Sequence, residues 1–79
     1  MIDLTNHNEP VRVFNNALEP GINPRGTYIA YHEGEYSDLV GLTPIGKAAY
    51  KASTDGRVIL CQKRIQDEPR RYVYYAVVI

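Results

Sequence analysis

Apolar and polar positions along this chain switch between two periods, and the switches outline its elements. Between residues 43 and 53 the apolar side chains Ile45, Ala48, Ala49 and Ala52 recur at helical spacing, while Lys47 and Lys51 lie four apart on another face. Thr43 can cap such a helix through its hydroxyl. Pro44 suits the first helical position, where the N–H it lacks would have no partner. Asp55-Gly56 then ends the stretch, since glycine adopts the left-handed conformation that closes a helix. The spacing predicts one helix over 43–53.

Two runs rich in β-branched and aromatic residues follow, 57–65 and 71–79. The five residues between them, 66–70, suit a hairpin loop with Pro69 outside the ladder. Symmetric pairing about that loop sets Cys61 opposite Tyr75 and Ile59 opposite Val77. One end of the ribbon is then apolar on both sides, and the other carries Lys63, Arg64, Arg70 and Arg71. The base is expected in the core and the tip in solvent. The side bearing Ile59 and Val77 is the more aliphatic and is expected to face the core. Tyr72 and Tyr74 fall on the opposite side.

The first half is punctuated by Pro20-Gly21, Pro24 and Gly26, which predict a surface loop over 19–26. Residues 26–33 read as a strand bounded by glycines, and 34–41 as a turn or one short helical turn. Residues 10–18 fit two periods. Val11, Phe14 and Leu18 form a helical stripe with Asn8 as a candidate cap, whereas Val11 and Val13 alternate with Arg12 as in a strand. The β-branched residues and Asn15-Asn16 favour the strand. The elements sum to an α+β fold in one domain spanning residues 1–79. A small antiparallel sheet of three to four strands carries one main helix and ends in a C-terminal β-hairpin.

Composition narrows the class. With 79 residues, 44% hydrophobic and 23% charged, the chain is too apolar for disorder but supports only a thin core. Its one cysteine, Cys61, excludes an intrachain disulfide and favours a reducing compartment. Set mid-strand among aliphatics, Cys61 is expected to be a buried, inert thiol. The first eight residues lack the basic start and apolar run of a secretion signal. The longest uncharged apolar run, residues 72–79, is too short to cross a bilayer. A cytoplasmic protein is expected. Net charge is zero but divided: residues 1–42 hold two basic and six acidic side chains, and residues 43–79 seven basic and three acidic. The two halves are expected to pack together and neutralise each other.

No assembled chemistry emerges. His32-Glu33-Gly34-Glu35 resembles only the first half of a metalloprotease motif, because no second histidine follows four residues on. A solvated loop, with no metal and no cofactor, is the expected reading. No glycine-rich loop is placed to cradle phosphate, and no Ser, His and acid triad can be assembled, so no enzyme activity is expected. A helix followed by a basic-tipped hairpin is the element order of winged-helix DNA binders, and residues 37–45 are similar to the turn of a helix-turn-helix. A turn at Gly41, however, puts Lys47 where the second helix buries an aliphatic side chain. The chain is therefore not assigned to that family.

One helix covers one face of a sheet, yet the last strand is apolar on both. The excess calls for cover by the proline-rich N-terminal segment, by a second copy in a homodimer, or by another protein. Tyrosines suit an interface because each ring combines apolar area with a polar tip. The expected function is a non-enzymatic interaction module. It would bind another protein through Tyr72, Tyr74 and the basic tip of Lys63, Arg64, Arg70 and Arg71. This is the size class of small regulators and inhibitors, including those of phages and mobile elements. The alternative is a nucleic-acid binder using Lys47 and Lys51 with the same four hairpin cations. No membrane partner is expected.

Overall fold

Helix formation over the most C-terminal of the two helical stripes follows the local signals closely. In the computed structural model, which describes residues 1–35 and 40–79, helix α2 spans Pro44–Thr54. The Thr43 hydroxyl accepts a hydrogen bond from the Gly46 N–H at 3.1 Å, and Gly56 follows the helix with φ +74°. A 3₁₀ turn over Val40–Leu42 precedes it. The expectation for 34–41 is partly met by that turn, partly replaced by strand at Gly34 and Glu35, and otherwise lies outside the described residues.

Residues 10–18 are helical, not extended. Helix α1 spans Pro10–Ala17, with proline in its first turn and Phe14, Ala17 and Leu18 buried. Packing outweighs β-propensity here: the helical stripe puts Phe14 into the middle of the core at 0% exposure, while Asn15 and Asn16 stay in solvent. The loop after it turns through Gly21 (φ +82°) and Gly26 (φ +91°), conformations that favour glycine.

Four strands form one sheet in the order β1-β2-β4-β3: β1 Ile2–Asp3, β2 Tyr28–Glu35, β3 Val58–Asp67 and β4 Arg70–Val78. The three long strands pair antiparallel. The short β1 pairs parallel to β2, which makes the sheet mixed. The hairpin register matches the symmetric pairing, with Cys61 opposite Tyr75 and Ile59 opposite Val77. Its turn is tighter than expected, because β3 runs on to Asp67 and β4 begins at Arg70. Bulges interrupt β2 between Ala30 and His32 and β3 between Arg64 and Gln66. His32 and Glu33 therefore sit within a strand, not in a solvated loop.

Both helices lie on the same side of this sheet. A single cluster joins Phe14, Leu18, Ile45 and Ala49 from the helical layer to Ile29, Tyr31, Val58 and Ala76 from the strands, with Leu60, Tyr74 and Val78 packed against it. Side chains alternate across a strand, so the helix-covered side takes the even-numbered positions of β4. The odd-numbered side, with Tyr75 and Val77, belongs to no part of that cluster. This reverses the facing expected from the sequence. Ile59 is 56% exposed and Cys61 is exposed, so neither is a core residue and Val77 does not anchor the core. Both sides of β4 are apolar, and the one that meets small Ala76 allows the helices to approach.

Candidate protein-binding face

The uncovered side of the sheet is laid out by the strand register. Tyr28, Val77 and Ile59 form a row across β2, β4 and β3, followed by a second row of Ala30, Tyr75 and Cys61. These two rows are apolar. Next come Glu33, Val73 and Lys63, and then Glu35, Arg71 and Gln66. Acid therefore lines the β2 margin of this face and a base the β3 margin, with valine between them. Rotation along each strand is fixed by the backbone ladder, and the two bulges keep the outward positions in step on either side of β4.

Exposure on this face is uneven, with Ala30 buried at 2% between its larger neighbours. Tyr28 is 48% exposed and Ile79, at the end of β4, is 50% exposed, while Val73, Tyr75 and Val77 are half-buried. The rings of Tyr28 and Tyr75 meet edge to face with centroids 5.7 Å apart, which orients both. A shallow groove beside them is lined by Met1, Cys61 and Lys63. At the polar end Arg71 lies 3.7 Å from the Glu33 carboxylate.

The sequence-predicted interface residues are divided by this geometry. Tyr74 faces the helices, packs against the core and stacks near Tyr31 and His32, with ring centroids 6.3 and 5.6 Å away. Tyr72, opposite Gly34 and Arg64, is on the same side. The tyrosines of the open face are instead Tyr28 and Tyr75. Burial pushes the hydroxyl of Tyr31 up to about 12, with smaller contributions from Tyr74 and Cys61.

The basic residues do not form one patch. Arg64 pairs with Asp67 at 3.1 Å, Arg71 with Glu33, and Lys51 with Asp55 at 3.2 Å. Lys63, Arg70 and Lys47 are exposed. Lys51 lines a cleft with Asn15 and Arg57 beside the start of β3. The hairpin turn lies nine residues farther along that strand, about 30 Å away at ~3.3 Å per residue. Lys63 and Arg64 lie closer, about 16–20 Å along β3 from its start, so the six cations are spread along the molecule.

Among the described residues no three His, Cys, Asp or Glu side chains are grouped to hold a metal ion, and no helix is long and apolar enough to cross a membrane. No protein-family model, curated protein or solved structure matches this chain. The open face escaped the sequence reading because β3 and β4 are apolar on both sides near the hairpin base. The one available signal was Ala76, a small residue where a helix must approach the sheet closely.

Proposed function

We propose that this chain is a non-enzymatic protein-interaction module of the cytoplasm, a small regulator or inhibitor that docks through the open face of its sheet. The observation that carries this reading is the apolar double row around Tyr75 and Ile59, which lies outside the core cluster with Tyr28, Ile59 and Cys61 exposed and Tyr75 and Val77 half-buried. An apolar area bordered by charged and polar residues suits a specific interface, and contiguous exposed apolar area on a small protein marks such sites. The partner surface it fits is apolar where it meets Tyr28, Tyr75 and Ile59, basic where it meets Glu33 and Glu35, and acidic where it meets Lys63. Arg70 and Lys63 at the rim would steer approach more than they add affinity. The nucleic-acid alternative has less support, because its cations are spread along the molecule and, among the described residues, Lys51, Arg64 and Arg71 are each paired with a carboxylate.

Site-specific photo-crosslinking tests the reading. A benzophenone side chain at Ile59 should capture a protein in the native cell, whereas the same group at Tyr50, exposed on α2, should not. Capture from both positions or neither, or capture of nucleic acid from position 59, would count against it.

A further inference from the structure

The open face is complementary to itself, and we propose that its occupant is a second copy of this chain, packed sheet on sheet about a two-fold axis running along β4. The inference rests on the docking role of that face. Such an axis lays the β2 margin of one copy over the β3 margin of the other. Glu33 then meets Lys63 of the second copy, twice by symmetry. Tyr28 meets Ile59, likewise twice, and Cys61 lies over the buried Ala30 position. On the axis Val73, Tyr75 and Val77 meet their own counterparts. Arg71 does so too, its charge held by Glu33 at 3.7 Å.

The perpendicular two-fold, across the strands, fails on charge. It would press Glu33, Lys63 and Arg71 of each copy onto the apolar rows of the other, leaving buried charges without partners. Edge pairing through β3 is opposed by the bulge before Gln66 and by the exposed Lys63 and Arg64, features that keep sheet edges apart. Aligned face-to-face packing, with sheets ~10 Å apart and strands within about 30°, is a standard way to cover such a face.

Three strands at ~4.8 Å spacing and eight residues at ~3.3 Å give a projected face of about 400 Å² per copy. The contact is small, and a weak dimer with a dissociation constant on the order of 10–100 μM is expected.

Sedimentation of the purified full chain from about 1 to 500 μM should show a 9.0 kDa monomer giving way to a species of twice that mass. Cys61, covered by the β2 margin of the second copy, should label more slowly with a thiol reagent as concentration rises, a readout that needs no variant. Ile59→Asp should remain folded by circular dichroism and monomeric throughout. Lys63→Glu, which sets like charge against Glu33 of the second copy and leaves the Arg71–Glu33 pair in place, should weaken association about ten-fold. A wild-type chain that stays monomeric at 500 μM, or a dimer indifferent to Ile59→Asp, overturns the proposal. A dimer indifferent to Lys63→Glu overturns the axis. Should the wild type stay monomeric while the position-59 crosslinker captures a protein of different mass, the docking face stands and the second copy falls.

Discussion

The two sides of β4 have nearly the same chemistry and opposite fates. Tyr74, Ala76 and Val78 lie under the helices, whereas Tyr75, Val77 and Ile79 lie in the open. Hydrophobicity therefore does not decide which side becomes core. Relief does: the covered side offers Ala76 at 0% exposure beneath the helical layer, so backbones can approach closely. The open side raises Tyr28 and Tyr75 against each other instead. A sheet two-sided in composition is one-sided in packing, and the unused side is what remains for association.

Substitutions measure that contrast directly. The largest effect should come from the covered side, where Phe14→Ala removes a fully buried ring and should cost about 3–5 kcal/mol in denaturant unfolding. In so small a domain that loss would leave much of the chain unfolded. Gly46→Ala should come next. A β-carbon at Gly46 would overlap the Val40 carbonyl, forcing α2 away from the 3₁₀ turn at a cost of about 1–3 kcal/mol. Retention of full stability would mean that the turn moves freely with respect to the helix.

A third effect is set by pH. Burial raises Tyr31 from an ordinary value of 10.0 to about 12. Above pH 10 the unfolded chain releases this proton first, so the stabilising contribution is complete below pH 10 and lost as pH rises towards 12. Tyr31→Phe should flatten that alkaline decline in melting temperature, and an unchanged slope would remove Tyr31 from the covered side. The smallest effect belongs to the open side and its arm. Ile59→Ala should cost under about 1 kcal/mol in a dilute monomer, since the side chain is already in water. Replacing Lys63, Arg64, Arg70 and Arg71 by serine should shift stability by about 0–1 kcal/mol per ion pair lost. A cost for Ile59→Ala approaching that of Phe14→Ala would erase the distinction between the two sides.

Much of the fold is legible wherever one local signal acts alone. The α2 boundaries follow from Thr43, Pro44 and Gly56, and the hairpin register from the position of its turn. Legibility fails where two signals compete or the deciding contact is distant. Val11 and Val13 pull residues 10–18 towards strand, but Phe14 buries itself only if the segment is helical. Pro10, well suited to a helix start, was the local clue to the right answer. No pattern in two residues could announce β1, which exists because β2 offers it an edge. The site was half legible: an apolar excess on the last strand was visible, but not which tyrosines carry it. Cys61 was misplaced for the same reason, since an aliphatic neighbourhood in sequence became an outward position in the sheet.

The parallel pairing of β1 with β2 has a consequence for anyone engineering this chain. Because β1 and β4 flank β2 and run in opposite senses, Met1 and Ile79 emerge at the same end of the sheet, two strand spacings or about 10 Å apart. A short glycine linker could join them, with new ends opened at the hairpin turn, to give a circular permutant with the same sheet. Affinity tags attached at Met1 or Ile79 would crowd the Tyr28 row. A tag inserted at the turn between Asp67 and Arg70 would sit about 30 Å away from it and leave the face free.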